Sequence, residues 1–198
     1  MKSRPPVVLM TATCGPTMEG PMLQNLELGK MTTIRSTTNR AELMYSVFPS
    51  EPIADHKIAG AVEQWYNTNL RDRLRLSTSQ VLIYVPIKTI GLTLCGKLGL
   101  DFFESNTLPE EKQRMCDGFR NGSIQCLVAT QAFGAGIDIG SVDLVIHAGS
   151  PRSMVDFAQE SGRAGRKGHP ALSIVFRSAQ RHREEESDEN CGIDEMRI

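Results

Sequence analysis

Short apolar runs alternate with helical patterns along this 198-residue chain. Runs of this length that are rich in β-branched residues predict buried strands, whereas apolar residues that recur every three or four positions predict helices. Strands that alternate with helices are typical of a parallel sheet with helices on both faces, so we expect an α/β fold. The predicted strands are Val7–Met10, Val81–Val85, Ile124–Val128, Leu144–Ile146 and Ser173–Phe176.

The clearest helical pattern covers Ile53–Leu70, where one face carries Ile58, Val62, Trp65 and Tyr66. Apolar stripes at this spacing usually face a core. We therefore interpret the two aromatic residues as packing groups rather than as platforms on which nucleic-acid bases stack.

Two later segments also show helical patterns. Pro109–Arg120 combines apolar residues on one face with an acidic first turn, which suits the helix dipole. A shorter stripe is formed by Met154, Phe157 and Ala158. We interpret this stripe as core as well.

Composition is that of an ordinary globular protein, with 40% hydrophobic and 23% charged residues. No apolar run approaches the length of a membrane span, and the first residues do not form a signal peptide, so we expect neither a membrane nor a secreted protein. The five cysteines are odd in number and scattered, without a CxxC pair. That pattern favours reduced thiols in a nuclear or cytosolic compartment and argues against a zinc site in this chain.

The formal net charge of −1 hides an asymmetry. From Glu184 onward there are seven acidic residues and one arginine, which leaves residues 1–183 with a balance of +5. A mildly basic body suits a polyanionic partner such as nucleic acid. The acidic end, EEESDEN, is typical of a disordered, solvated tail.

The most informative motif is Gln-Glu-Ser-Gly-Arg-Ala-Gly-Arg at residues 159–166. If this stretch is helical, Arg163 and Arg166 lie on neighbouring faces and can point at one anion. Gly162 and Gly165 would let another backbone approach closely. Arginine binds phosphoryl oxygens in a fork, and arginine fingers stabilise the charge of phosphoryl transfer. For the motif alone, the alternative is a solvated basic loop.

The segment before this motif contains, between residues 128 and 153, the runs VATQAFGAGID, VDLVIH and SPRS. Together with QESGRAGR, it closely resembles motifs V and VI of superfamily-two helicases, and the RecQ-like branch, especially its fungal members, is the nearest. DEAD-box RNA helicases usually carry His-Arg where this chain has Gln159-Glu160, so the resemblance favours DNA. It extends over motifs III to VI, roughly residues 7–176.

In such helicases, ATP and Mg²⁺ are bound in a cleft between two RecA-like lobes, and the resemblance implies that this chain is mostly the second lobe. A phosphate loop needs GxxxxGK followed by Ser or Thr. Gly91–Lys97 matches only its first part, because Leu98 cannot ligate magnesium, and we interpret residues 89–98 as a core helix. ATP and Mg²⁺ would then be bound mainly by a first lobe, supplied in cis or in trans. We expect the chain to be a fragment or a decayed copy of such a helicase.

The resemblance also implies a division of the chain. Residues 1–52 would hold the end of the first lobe, with motif III, and the connection; residues 53–177 would form the RecA-like helicase C-terminal domain; residues 178–198 would form the acidic disordered tail. Short strands predicted at Thr32–Arg35 and Leu43–Phe48 would lead into the second lobe.

Where the motifs match, the resemblance implies roles for single residues at the nucleotide. Arg163 and Arg166 would contact the γ-phosphate across the cleft, with Arg166 preferred as the finger, and Gln159 would help to place the attacking water or the phosphate. Gly136 and Asp138 would contact the nucleotide, Asp138 through the ribose hydroxyls. A turn-forming aspartate is the alternative for Asp138.

Nucleic-acid contacts are implied for Thr130 and Gln131, at the end of a strand, and for Lys88. Ligands at the carboxyl ends of strands are what an open α/β sheet predicts. Two departures from the family weaken this part of the resemblance. Ile87 replaces the hydroxyl residue of motif IV, which leaves Lys88 to serve, and Glu104 lies in the segment that replaces the family's Tyr-His-Ala/Gly turn. A carboxylate there would repel a phosphate backbone unless it points away.

The leading hypothesis is an ATP-dependent 3′-to-5′ DNA helicase of the RecQ-like kind, represented by its arginine-finger lobe and acting on single strands and duplex junctions. A second hypothesis is a non-catalytic module that binds nucleic acid or a partner protein without hydrolysis, because the phosphate loop is missing. A third is the corresponding lobe of an RNA helicase, which Gln159-Glu160 disfavour.

Overall fold

The computed structural model describes residues 6–11, 13–29, 31–37, 39–49, 51–75, 77–134, 142–166 and 168–179. The chain divides into two compact units, residues 1–40 and residues 41–198. In the described ranges, no helix is long and apolar enough to cross a membrane.

The smaller unit contains a helix that the sequence pattern did not predict. This helix, α1, covers Pro16–Asn25, has proline at its start and buries none of its residues. Arg35 connects the helix to the segment that follows: its Nη2 lies 2.7 Å from Oε2 of Glu19, and its Nη1 donates to the carbonyl of Cys14 at 3.0 Å.

Two strand predictions in this unit are wrong. Neither Val7–Met10 nor Thr32–Arg35 pairs with another strand among the described residues. Their apolar side chains are exposed, with Met10 at 91% and Ile34 at 92%. A strand is stabilised by hydrogen bonds to a neighbour, which an apolar run by itself does not provide.

The larger unit is built on a parallel sheet, as predicted. Its strands are β1 (Leu43–Val47), β2 (Val81–Tyr84), β3 (Asp101–Phe103), β4 (Cys126–Ala129), β5 (Leu144–Ala148) and β6 (Ala171–Phe176). Within the described residues the sheet has six strands in the order β1-β6-β5-β2-β4-β3, and all neighbours are parallel. β3 was not predicted, because three residues are too few to show a pattern.

Helices connect these strands. They are α2 (Asp55–Asn69), α3 (Arg71–Arg75), α4 (Lys88–Leu98), α5 (Pro109–Asn121) and α6 (Met154–Ser161). The helices predicted over residues 53–70, 89–98 and 109–120 are thus confirmed as α2, α4 and α5. Gly91 and Leu94 are buried within α4. The GxxxxGK match is therefore part of a core helix and not a phosphate loop.

Both faces of the sheet are covered. On one face, Val81 and Ile83 of β2 pack in a cluster with residues of α2, α3 and α4. On the other face, Leu82 and Tyr84 of the same strand pack with Phe119 of α5. The predicted α/β architecture, with helices on both faces of a parallel sheet, is confirmed.

Trp65 and Tyr66 are packing groups, as predicted. Tyr66 is 8% exposed, and the Trp65 ring meets the Phe176 ring edge-on, with 6.3 Å between centroids. Neither ring is a free platform for a base.

The strand predicted at Leu43–Phe48 corresponds to β1, which pairs with β6 so that Leu43 lies opposite Ala171. β1 therefore belongs to the sheet of the larger unit. The expected division of the chain between two lobes at residues 52 and 53 stays a prediction. The predicted acidic tail lies outside the described residues, apart from residues 178 and 179.

Candidate nucleotide and nucleic-acid site

Residues predicted to contact nucleic acid lie directly after strands. Lys88 is the first residue of α4, after β2, and Thr130 and Gln131 follow β4. Because the carboxyl ends of parallel strands meet at one edge, these residues share that edge of the sheet. The Thr130 amide donates to the carbonyl of Phe103 at 3.0 Å, which joins the ends of β4 and β3.

Arg152 belongs to the same edge and was missed by sequence reasoning. Its Nη2 donates to the carbonyl of Pro86 at 3.1 Å, and its Nη1 donates to Oε1 of Gln131 at 3.4 Å. Arg152 thus connects the loops that follow β2 and β4. The signal that could have identified it is its place shortly after the end of a predicted strand.

Lys88 forms an ion pair. Its Nζ lies 2.5 Å from Oε1 of Glu104, with the lysine side chain 51% exposed and the glutamate side chain 16% exposed. Glu104 therefore does not point away from the predicted phosphate contact; its carboxylate lies directly against the cation.

Helix α6 carries the start of the arginine motif, and its burial differs from the prediction. Ser153 caps the helix by accepting from the amide of Asp156 at 3.1 Å. Met154 is 57% exposed and Ala158 is exposed as well, so the predicted core role is wrong for both. The helix instead buries its last turn, where Glu160 is 9% exposed, because polar partners lie beneath that turn.

The arginine motif continues as a turn and not as a helix. α6 ends at Ser161, and the Gly165 amide donates to the carbonyl of Val142 at 2.9 Å. Gly165 has a φ of 66°, and a Cβ there would lie 3.0 Å from the carbonyl oxygen of His169, so the turn requires glycine. The helical interpretation placed the two arginines on neighbouring faces of one helix. It is wrong, because both arginines lie beyond the end of α6.

The two arginines have different surroundings. Arg163 is 8% exposed, and its Nη2 donates to the carbonyl of Gly134 at 2.7 Å. Arg166 is exposed, as is Gln159. Burial raises the pKa of Tyr84, and the charges of Arg163 and Arg166 both oppose this rise. Arg163 therefore lies within the fold and Arg166 at its surface.

The loop after β4 is fixed by two neighbouring carbonyls. The Tyr84 hydroxyl donates to the carbonyl of Phe133 at 2.9 Å, next to the Gly134 carbonyl that accepts from the guanidinium. This loop leads towards Gly136 and Asp138, which lie outside the described residues. Their predicted contacts with the nucleotide stay predictions.

We expect Gly134→Ala to displace the Arg163 guanidinium. An added Cβ would lie 2.5 Å from Nη2 of Arg163, which is closer than nonbonded atoms approach. Because a hydrogen bond to a charged group contributes about 1.5–3 kcal/mol, the free energy of unfolding in urea should fall by that order.

Gly96→Ala is the matched control, since no atom lies within 4 Å of a Cβ built at this exposed position in α4. It should leave the free energy of unfolding unchanged or raise it by up to about 1 kcal/mol. Equal stability of the Gly134→Ala and Gly96→Ala variants would contradict the role given to the Gly134 carbonyl.

A buried polar cluster lies beneath the last turn of α6 and consists of His147, Glu160, Ser161 and Ser173. His147 Nδ1 lies 3.0 Å from Glu160 Oε2, and Nε2 lies 3.1 Å and 3.3 Å from the hydroxyls of Ser161 and Ser173, which are 2.8 Å apart. Nδ1 of His147 thus faces the Glu160 carboxylate, and Nε2 faces the two serine hydroxyls.

The His147 cluster has the acid, histidine and serine order of a hydrolase triad. Both serines are 0% exposed, however, so no substrate can reach a hydroxyl. The cluster instead joins α6 to β5 and β6 and fixes the helix from which the arginine motif continues. Sequence reasoning missed it, because a single histidine at the end of an apolar strand gives no pattern.

The helicase conserved C-terminal domain family matches residues 65–168. The chain belongs to this family. It is similar to the ATP-dependent DNA helicase hus2/rqh1 of Schizosaccharomyces pombe, with 30% identity over 183 residues that cover 89% of this chain and 13% of that protein. It is also similar to the ATP-dependent DNA helicase RecQ of Bacillus subtilis, with 25% identity over 190 residues, 91% of this chain and 29% of that protein. The RecQ-like resemblance is confirmed, and the chain spans less than a third of either relative.

The fold is similar to that of a solved structure of Saccharomyces cerevisiae Dbp5 bound to RNA and ADP BeF3. The TM-score is 0.70 at 19% identity, over 89% of this chain and 46% of that chain. At this identity the similarity concerns the fold alone. It confirms the RecA-like architecture of a helicase C-terminal lobe.

Proposed function

We propose that this lobe works in a RecQ-like, ATP-dependent DNA helicase that moves 3′ to 5′, and that it supplies the arginine finger to ATP bound mainly by a first RecA-like lobe. The observation that carries the proposal is the contrast between the two motif arginines. Arg163 is buried against the Gly134 carbonyl, whereas Arg166 is exposed at the end of a fixed turn. An exposed guanidinium such as that of Arg166 can reach a phosphate held by another lobe, whereas Arg163 would first have to leave the Gly134 carbonyl.

Each site residue then has a distinct part. Arg166 would stabilise the charge on the γ-phosphate during transfer, and Gln159, exposed on α6, would help to place the attacking water. Arg163 would position the loop after β4, which leads to Gly136 and Asp138 on the nucleotide. The 198 residues contain no GxxxxGK followed by Ser or Thr, so the first lobe would hold most of the phosphate and the Mg²⁺.

The carboxyl edge of the sheet would contact the backbone of single-stranded DNA next to a duplex junction. Thr130 offers a hydroxyl and Gln131 an amide, while Lys88, at the start of α4, and Arg152, after β5, supply cations at the same edge. Glu160 faces His147 inside the fold, so it does not itself read the nucleic acid. The preference for DNA over RNA rests on the similarity to DNA helicases.

Arg152→Gln should weaken binding of single-stranded DNA by about tenfold at low salt and reduce the slope of log K against log salt by about 0.7, the value for one phosphate contact. The substitution removes a cation and the bonds that connect two loops of the proposed DNA face. Fluorescence anisotropy with a labelled oligo(dT) strand measures both quantities, and the matching RNA strand as competitor tests the preference for DNA.

Arg120→Gln is the control, because Arg120 is an exposed arginine of α5 that pairs with Asp117, 2.8 Å between Nη1 and Oδ1. Its effect on affinity should be small, since the two charges already compensate each other and lie in solvent. An equal loss in the two variants would place the DNA contact elsewhere.

A nuclear, reducing compartment is part of the same proposal. The four cysteines that the structure describes are free of disulfides. Burial raises the pKa of the Cys95 thiol to about 12, so this thiol stays protonated at neutral pH and is a poor nucleophile.

A further inference from the structure

We propose that Glu104 limits the affinity of this lobe for nucleic acid by neutralising Lys88. The inference rests on the proposed nucleic-acid role of the carboxyl edge and adds a residue that sets how strongly that edge binds a phosphate backbone. The partner concerned is single-stranded DNA, whose phosphates would have to displace the Glu104 carboxylate from the lysine.

The ion pair joins two loops that the sheet brings together. Lys88 begins α4 after β2, and Glu104 follows β3, 16 residues later in the chain. Nζ of Lys88 and Oε1 of Glu104 are 2.5 Å apart. Since β4 lies between β2 and β3, the pair bridges the end of the strand that carries Thr130. The carboxylate is therefore part of the same edge as the proposed phosphate contacts.

Glu104 is the fixed member of this pair. Its amide donates to the hydroxyl of Thr107 at 3.1 Å, and the Thr107 amide donates back to the Glu104 carbonyl at 3.3 Å. Its side chain is only 16% exposed, whereas Lys88 is 51% exposed on a flexible stem. A phosphate that approaches Lys88 therefore meets a carboxylate that has little room to move away.

The other cations near this turn make different contacts. Lys112 Nζ donates to the carbonyl of Ser105 at 2.6 Å, and the Arg152 guanidinium donates to Pro86 and Gln131. With Glu104 ionised, the Lys88 pair has no net charge, so a DNA strand that binds there releases fewer counterions than it would from a free lysine. The affinity for DNA and the dependence of that affinity on salt should therefore both be lower than they would be with an unpaired Lys88.

The experiment measures binding of a fluorescein-labelled oligo(dT) strand to the full chain by anisotropy over a range of salt concentrations. Glu104→Gln keeps the shape and removes the charge. It should raise affinity by about 3- to 10-fold at low salt and steepen the slope of log K against log salt by about 0.7.

Glu63→Gln is the matched control. Glu63 Oε2 lies 2.6 Å from Nζ of Lys97, with side-chain exposures of 27% and 44%. Lys97 lies in the last turn of α4, at the opposite end of the helix from Lys88. The control therefore changes the net charge equally and also frees a lysine, but away from the loops of the carboxyl edge. It should change affinity by less than about twofold, because screening weakens exposed charges at a distance.

Glu104→Gln in a Lys88→Gln background separates two causes of a gain in affinity: the release of Lys88 and the loss of direct repulsion between Glu104 and DNA. If Glu104 acts through Lys88, the gain in DNA affinity should shrink in this background towards that of Glu63→Gln. A gain as large as in the unaltered background would show that Glu104 acts by repulsion alone, and it would overturn the proposal. Equal affinity of Glu104→Gln and Glu63→Gln would also overturn it. If the role of Glu104 is overturned in this way, weaker binding by Arg152→Gln would still support the carboxyl edge as the DNA face. Unchanged binding by Arg152→Gln would reject that face as well.

Discussion

Arg166→Ala should lower ATP hydrolysis by on the order of 10³-fold or more when this lobe is joined to a complete first RecA-like lobe, because arginine fingers contribute that much to phosphoryl transfer. Arg166 is the exposed arginine of the motif, beyond a turn fixed by the Gly165 amide. Steady-state ATPase assays of the fusion protein with saturating DNA measure the loss. It should appear in kcat with little change in KM for ATP, because a finger acts mainly on the transition state.

Two further variants separate a finger from a general effect of charge. Arg166→Lys keeps the charge without the planar fork and should restore only part of the activity. Arg120→Ala removes an exposed arginine that pairs with Asp117 on α5, and its kcat should equal that of the unaltered protein. Turnover of Arg166→Ala at the unaltered rate would reject the role given to Arg166.

Glu160→Leu should lower the free energy of unfolding by about 1–3 kcal/mol, because it leaves a buried nitrogen of His147 without its polar partner. Glu160 Oε2 lies 3.0 Å from Nδ1 of His147, which is 2% exposed. Urea denaturation followed by circular dichroism measures the change.

Glu51→Leu is the control for this substitution, since Glu51 is exposed outside the helices and strands. It should change the free energy of unfolding by no more than about 0.5 kcal/mol. Glu160→Gln keeps an oxygen acceptor for Nδ1 and should cost less than Glu160→Leu. If Glu160→Leu unfolds at the same urea concentration as the unaltered protein, the buried cluster does not stabilise α6.

Sequence periodicity predicted the elements that bury a complete face. α2 and α5 show this well, because Ile58 and Val62 of α2, and Met115 and Phe119 of α5, lie four residues apart and are buried. The same argument identified α4 correctly, although the segment also matches most of a phosphate-loop motif. Periodicity could not predict α1, which buries no residue, or β3, which has three residues and is recognisable only by its pairing with β4.

The motif identified the arginines but not the difference between them. Arg163 is buried because its guanidinium meets the Gly134 carbonyl, 29 residues earlier in the chain, and no local spacing encodes that contact. The Lys88–Glu104 pair likewise depends on strand order, since β2 and β3 are both neighbours of β4. The sequence raised the question whether Glu104 points away, and only the fold answers it.

The most direct test of the central claim is DNA-stimulated ATP hydrolysis by the 198-residue chain alone and by the same chain joined to the first RecA-like lobe of a RecQ-like helicase. We predict background hydrolysis for the chain alone and hydrolysis that depends on both DNA and Arg166 for the fusion protein. Hydrolysis by the chain alone would contradict the claim that this lobe needs a partner for its ATP site. A fusion protein that binds DNA without any hydrolysis would contradict the catalytic role and favour a non-catalytic binding module.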